Sequence, residues 1–260
     1  MAKGVLLDLA GVVYLGDQML PRAGEAVDRL REAGLPVRFV TNTTRLSKVG
    51  ILDRLRGIGL EVAGDELITP AEAARTWLAT HRRSPHLLVH PALVEDFEGV
   101  ADHPDKAVIV GDAGRDFTYD TLNAAFRELA AGADLLALAK NRTFRDDDGA
   151  LSMDAGGFVA ALEYAAECKA IVLGKPAPDF YAAAVAGLGC DAADAVMVGD
   201  DVEADVSGAL AAGIGAALLV RTGKYHEGAE AGATPPPTAV VDDLFAAVDW
   251  VLGLGSAPPR

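Results

Sequence analysis

The stretch that most constrains this chain is Val5-Leu6-Leu7-Asp8-Leu9-Ala10-Gly11. Val5 to Leu7 is an apolar run, as in a strand buried on both faces of a parallel sheet. It ends on a carboxylate, Asp8, where the strand opens into a loop. Gly11 then allows a tight turn or a close approach of backbone to a ligand. Ligands of open α/β sheets sit at the carboxyl ends of such strands, so Asp8 is the candidate chemical centre. A single Asp in that place more often merely caps a turn; three later stretches change the balance.

The rest of the chain alternates strand and helix. Pro21 to Ala33 reads as a helix with Ala26, Val27 and Leu30 on one face and Gly34 as its stop. The strand Val37 to Val40 runs into Thr41-Asn42-Thr43-Thr44, the helix Ser47 to Leu55 follows, and after Leu67-Ile68 a helix opens at Pro70 and reaches about Leu78. Short connections between alternating elements predict an α/β fold with a doubly wound parallel sheet. A second α/β unit begins after Ala79, with strands His86 to His90, Ala107 to Val110 and Leu135 to Ala139, helices Thr118 to Ala131 and Gly157 to Ala166, and a charged loop Lys140 to Asp148. The first unit is expected to resume with a strand Ala170 to Leu173 leading into Gly174-Lys175-Pro176. The helix Pro178 to Leu188 and the strand Ala195 to Val198, running into Gly199-Asp200-Asp201, come next. Helical Asp205 to Ala212, the strand Ala216 to Val220, a loop Glu227 to Thr238 and the helix Leu244 to Leu252 complete the chain. Asp8 and Asn42 are one helix apart, which leaves no room for a domain between them, whereas Asn42 and Lys175 are far apart. The expected organisation is a discontinuous α/β core of residues 1–78 and 169–260 with an inserted α/β unit of residues 79–168.

Composition narrows the function classes. With 51% hydrophobic residues in 260 the chain can bury a sizeable core and is not disordered. No run reaches the ~18 apolar residues of a membrane span, and Lys3 is followed at once by a strand rather than a leader segment. Cys168 and Cys190 make no disulfide framework and read as thiols in a reducing compartment, the cytoplasm. A net charge of −15 opposes nucleic-acid binding, so a phosphorylated substrate needs locally placed cations.

Four expected strands end in polar chemistry: at Asp8, Thr41-Asn42, Lys175 and Asp200-Asp201. As parallel neighbours they would bring these groups to one edge of the sheet. Carboxylates suit Mg²⁺, which takes one or two acids plus phosphate oxygens and water. A Lys and backbone N–H donors suit a phosphoryl group, and a carboxylate nucleophile splits a hard displacement into two steps. Each group also has a plainer reading: helix or turn capping for Thr41 and Asn42, a solvated helix start for Asp201 and Asp205, a loop cation for Lys175. The ordered set outweighs these.

With Gly11-Val12-Val13-Tyr14, Val40-Thr41-Asn42-Thr43-Thr44, Gly174-Lys175-Pro176, Gly199-Asp200-Asp201 and Asp205, the chain resembles the haloacid dehalogenase-like hydrolases, in the subgroup with a large α/β cap. Gly111-Asp112, Phe117-Thr118-Tyr119 and Arg221-Thr222-Gly223-Lys224-Tyr225 look like further signatures of that subgroup, and the resemblance runs from about Val5 to Trp250. It implies a Mg²⁺-dependent phosphatase working through an aspartyl-phosphate on phosphoramidate, pyrophosphate or small phosphate-ester substrates. Phosphorylated protein side chains are further candidate substrates, and the assembly implied is a homodimer with neither a nucleic-acid nor a membrane partner. By the same resemblance Asp8 is the nucleophile and a Mg²⁺ ligand, the Ala10 carbonyl and Asp200 are further ligands, and Asp201 and Asp205 act near the metal. Thr41, Asn42, Thr43 and Gly11 hold the phosphoryl group, and Lys175 offsets charge. Asn141, Arg142 and Phe144 are candidate readers of the leaving group; a solvent-facing charged loop is as good a reading of them.

One position departs from the family. Where these enzymes usually carry a general-acid Asp, two residues after the nucleophile, this chain has Ala10. Loss of such help commonly costs about 10²–10⁴-fold. Three readings follow: a native Ala serving leaving groups that need little side-chain help, such as phosphoramidates or anhydrides; a substitution that traps an intermediate; or a phosphate-ligand or protein-binding module that has lost turnover.

Overall fold

The computed structural model describes residues 2–145 and 150–253. Its main sheet has six parallel strands: β1 (Gly4–Asp8), β2 (Val37–Val40), β3 (Leu67–Ile68), β4 (Ala195–Gly199), β5 (Ala216–Val220) and β6 (Ala239–Val241), in the order β6-β5-β4-β1-β2-β3. Every residue of β1, β4 and β5 is buried, as the unbroken apolar runs require. The chain winds outward from β1 through β2 and β3, then returns on the other side of β1 with β4, β5 and β6. The winding therefore reverses between β1 and β4, and a crevice opens at their carboxyl ends. Register places Asp8 beside Val40 of β2 and Leu7 beside Val198 of β4, so β1 and β4 end side by side.

One face of this sheet is covered by the helix Pro178–Ala186, whose Phe180, Tyr181, Ala184 and Val185 pack with Leu6, Val40, Met197 and Leu219. The helices Ala23–Glu32 and Leu244–Val251 pack on each other and bury Ala26, Val27, Leu30, Ala247 and Val248. Tyr181 is fully buried, and its hydroxyl donates to the Ala204 carbonyl, which removes the cost of burying a bare polar group. The segment expected to be α-helical from Asp205 instead starts at Val202, as a wide π-type turn over Val202–Ser207 followed by the helix Gly208–Ala211.

The second compact unit comprises residues 42–51 and 69–174. Its parallel sheet runs Ile171–Val172, Asp134–Ala137, Lys106–Val110, Ser84–Leu88. The helix Pro70–His81 covers one face through Ala71, Ala74 and Leu78; Tyr119–Ala130 and Ala155–Ala166 cover the other through Ala125, Leu129, Val159 and Leu162. Three expectations change here. The strand before Lys175 does not belong to the main sheet: Ile171 pairs with Leu136 and Val172 with Ala137, at the edge of the second sheet. It is the return strand of a crossover through the Ala155–Ala166 helix, and such a strand settles beside the one it left. The charged loop Lys140 to Asp148 contains a strand, Thr143–Arg145, paired antiparallel with Leu151–Met153; Asp146 to Asp148 lie outside the described residues. The Pro70–His81 helix, placed with the core by its position in sequence, groups by its contacts with the second unit. Thr69 opens it with a capping box: its hydroxyl accepts from the Glu72 N–H at 3.3 Å, and the Glu72 carboxylate accepts from the Thr69 N–H.

Candidate active site

The crevice between β1 and β4 collects buried charge. The Lys175 ammonium donates to Asp8 Oδ1 at 2.5 Å and to Asp205 Oδ1 at 2.7 Å, and all three side chains are less than 10% exposed. Asp200, one residue beyond β4, completes the group: one carboxylate oxygen each from Asp8, Asp200 and Asp205 lie within 4.8 Å of one another. Three buried carboxylates thus crowd together, and the buried Lys175 ammonium bonds two of them, Asp8 and Asp205.

Local sequence explains how this packing is reached. Asp201 caps the π-type turn, its carboxylate accepting from the N–H groups of Glu203 (3.1 Å) and Ala204 (3.0 Å). The wide turn brings Asp205 back under the end of β4, where its second oxygen accepts from the Asp201 N–H at 3.1 Å. Gly199 is obligatory there, since a Cβ on it would fall 2.1 Å from the Cβ of Asp205. Gly208 lets Pro176 approach, so the Lys175 loop sits tightly on the turn that carries Asp205.

The charges respond to this crowding. Burial, together with the Asp8 and Asp205 carboxylates, pushes Asp200 up to about 8. Burial and the neighbouring acids raise Asp205 to about 6 against the pull of Lys175. Burial disfavours the charge on Lys175, but Asp205 and Asp8 more than offset it and hold the ammonium well above its ordinary range. Burial also opposes the charge on Asp201, yet the Lys224 ammonium 2.9 Å away and the capped N–H groups prevail and keep that carboxyl low. An excess of buried negative charge made of hard oxygen donors fits a small divalent cation, and Asp8 and Asp200 are suited to hold it.

The other expected residues are distributed as follows. Ala10 is exposed, in a turn where the N–H groups of Val13 and Tyr14 donate to the Leu9 carbonyl. Gly11 adopts φ +85°, and its N–H is committed to the Tyr14 carbonyl at 2.7 Å. Thr41 is buried at the end of β2, one residue beyond the register partner of Asp8. Asn42 and Thr43 fall in the second unit, where Asn42 Oδ1 packs so close to Gly174 that a Cβ there would come within 2.6 Å. Also in that unit, the Asn141 and Arg142 carbonyls accept from Gly156 and Asp154, each at 3.0 Å. The Phe144 ring lies 4.5 Å beneath the Arg45 guanidinium, which itself pairs with Asp112 at 2.5 Å. Phe144 is half-buried, while Arg142 is exposed. Phe144 lines a cavity of about 600 Å³ together with Arg45, His90, Asp112, Phe117 and Phe158.

Thr222 and Lys224, which with Gly223 are part of a subgroup signature in the sequence, bond directly to the site. The Thr222 hydroxyl donates to the Gly11 carbonyl at 2.5 Å, and the Lys224 N–H donates to Asp200 Oδ2 at 2.7 Å. The available signal was a glycine flanked by donors just after the buried strand β5.

Comparison with known proteins accords with this geometry. Models of haloacid dehalogenase-like hydrolases match residues 5–101 and 172–247. The chain is 43% identical to the haloacid dehalogenase-like hydrolase domain-containing protein 2 of Homo sapiens, covering 96% of both chains. It is 38% identical to the phospholysine phosphohistidine inorganic pyrophosphate phosphatase of Danio rerio, over 96% of this chain and 94% of that one. Among solved structures it superposes on the glycerol phosphate phosphatase of Mycobacterium tuberculosis, solved with magnesium and with calcium, at TM-score 0.81 and 29% identity over 94% of this chain and 75% of the other. The chain belongs to the haloacid dehalogenase-like hydrolases. Within that family it is an enzyme of the phosphatase branch. No helix among the described residues is long and apolar enough to cross a membrane.

Proposed function

We propose that the chain is a Mg²⁺-dependent phosphohydrolase acting through an aspartyl-phosphate on Asp8. The observation that carries this reading is Lys175 bound at once to Asp8 and Asp205 beside Asp200, at the switch point of the sheet. Asp8, Asp200 and the Ala10 carbonyl would hold the Mg²⁺, with Asp205 and Asp201 one step further out. When bound, the cation supplies positive charge for the phosphoryl oxygens.

In the first half-reaction an Asp8 oxygen attacks phosphorus, and the bond from phosphorus to the leaving group breaks with its electron pair going to that group. In the second, water attacks the same phosphorus, the P–O bond to Asp8 breaks, and inorganic phosphate leaves with the carboxylate restored. Lys175 keeps Asp8 oriented for attack and offsets charge as the anionic phosphoryl group arrives. The Thr41 hydroxyl, just beyond the end of β2, would orient a phosphoryl oxygen. Gly11 contributes by having no Cβ, because its N–H is already committed.

The substrate class follows from Ala10. Its methyl group can neither protonate a leaving group nor deprotonate water, so the first half-reaction favours groups that leave without that help. Phosphoramidates and pyrophosphate are such substrates, and the name of the Danio rerio relative carries both chemistries. The same residue favours one other reading, a phosphate-ligand-binding module without turnover. A panel of p-nitrophenyl phosphate, pyrophosphate and a phosphoramidate, assayed with Mg²⁺, separates the two. Turnover of any member, lost in Asp8→Asn with the fold retained, is the expected result. No turnover of the whole panel by the parent points to the binding module, and full activity in Asp8→Asn rules out the covalent mechanism.

A further inference from the structure

The loop that follows β5 does something its place in the sheet does not require. In the order β5-β4-β1, strands β5 and β1 are not neighbours, and their ends lie about 10 Å apart at ordinary strand spacing. Residues 222–224 nevertheless reach across the end of β4 to the loop after β1. The Thr222 hydroxyl donates to the Gly11 carbonyl, and two residues later the Lys224 N–H donates to Asp200 Oδ2. The Lys224 ammonium continues to Asp201 at 2.9 Å.

Two glycines make the crossing possible. Gly223 has φ +61°, and a Cβ on it would fall 1.9 Å from Asp200 Oδ2 and 2.6 Å from the Gly11 Cα. A Cβ on Gly11 would fall 2.1 Å from the same oxygen and 2.8 Å from the Gly223 Cα. The carboxylate of Asp200 is thus flanked by two bare α-carbons from two different loops, a space no other residue leaves.

We propose that Thr222 and the Gly223–Lys224 peptide form a clamp that positions Asp200 and the loop after Asp8 for the cation; the inference rests on the reading of Asp8 and Asp200 as its ligands. The physical need is specific. An Asp side chain swings about two torsions, and a carboxylate can present either oxygen. With Oδ2 held by the Lys224 N–H, Oδ1 is the oxygen left for another partner. The loop after Asp8 passes through Gly11, whose missing Cβ leaves its backbone torsions weakly restricted. Tyr14 holds the Gly11 N–H on one side, and the Thr222 hydroxyl fixes the plane of the peptide that follows Gly11 on the other. Thr222 is a positioning residue: it acts on the ligand set through a backbone carbonyl and not on the substrate.

Partners one step out from a metal are typically worth 10–100-fold in affinity or activity. The test is Mg²⁺ titration by calorimetry on the chelator-stripped full chain, with melts in chelator recorded in parallel. Thr222→Val keeps the shape and removes the donor, and is expected to raise the Mg²⁺ Kd about tenfold. Thr222→Ser restores the donor and is expected to return to within about twofold of the parent. Gly223→Ala, which forces Asp200 to move, is expected to weaken binding at least as much as Thr222→Val and serves should the valine variant not fold. A Thr222→Val Kd equal to that of the parent, or Ser and Val variants with the same Kd, overturns the clamp. Asp200→Asn is run alongside: weak Mg²⁺ binding there with normal binding in Thr222→Val overturns the clamp alone. Normal binding in Asp200→Asn overturns the ligand assignment and the clamp with it.

Discussion

Replacing Asp200 by Asn should make the metal-free protein more stable while removing its function. Asp200 is 3% exposed, with carboxylate oxygens of Asp8 and Asp205 within 4.8 Å. Burial and those two acids move its midpoint from 3.8 to about 8. Below pH 4 the group is protonated in both folded and unfolded chains and costs nothing. Between pH 4 and 8 the unfolded chain ionises while the folded site keeps its proton, so stability falls as pH rises; above 8 the loss levels off. A displacement of that size corresponds to a loss of at most about 5 kcal/mol by pH 8. Asn keeps an oxygen to accept from the Lys224 N–H and turns an amide toward the neighbouring carboxylates, without the charge. A net gain of about 2 kcal/mol at pH 8 is a conservative expectation, equivalent to roughly 4–8 °C in Tm for a chain of this size. The assay is urea or thermal unfolding of parent and Asp200→Asn in chelator, from pH 5 to 9. The difference should grow with pH and vanish toward pH 4. In saturating Mg²⁺ the parent should recover, by about 2.7 kcal/mol at one hundred times its Kd, and the variant should not. A variant no more stable than the parent at pH 8, or a difference independent of pH, would show that folding does not raise the Asp200 midpoint.

Lys175→Met removes the ammonium shared by Asp8 and Asp205, and breaking a buried pair from one side costs about 3–5 kcal/mol. The loss should be smaller at pH 5 than at pH 8, because Asp205, already raised to about 6, takes up a proton at the lower pH; unfolding in chelator at the two values checks the sign. Ala10→Asp has room for its carboxylate on an exposed turn and should raise turnover of an alkyl phosphate about 10²-fold, about 2.7 kcal/mol of barrier. Pyrophosphate or a phosphoramidate should gain less, as measured by phosphate release; no gain on any substrate would leave Ala10 without an acid–base explanation.

Asp8, Lys175, Asp200 and Asp205 were legible in the sequence because each is a polar residue just beyond or near the end of an apolar run, and such residues gather at the carboxyl edge of a parallel sheet. The strand before Lys175 misled for a related reason. Two apolar residues carry no record of which sheet they join, and that choice was made by the crossover helix Ala155–Ala166 before them. Lys175 still reaches Asp8, so the order of motifs along the chain was a better guide to the site than the assignment of strands. The difference between Asp201 and Asp205 was not readable. Asp201 and Asp205 both look like acids at a helix start, yet one caps the turn from outside and the other is buried beneath it. What separates them is the width of the Val202–Ser207 turn, a property of backbone hydrogen bonding and not of composition. Thr222 lies furthest from what sequence can show. Its partner is 211 positions away, and the contact exists because two glycines on different loops let their α-carbons meet over one carboxylate. Gly11 reads as a turn residue and Gly223 only as part of a subgroup signature, and it is their pairing in space that defines how Asp200 is held. The structure therefore adds least where a residue's chemistry is dictated by its own strand, and most where two loops act on a third.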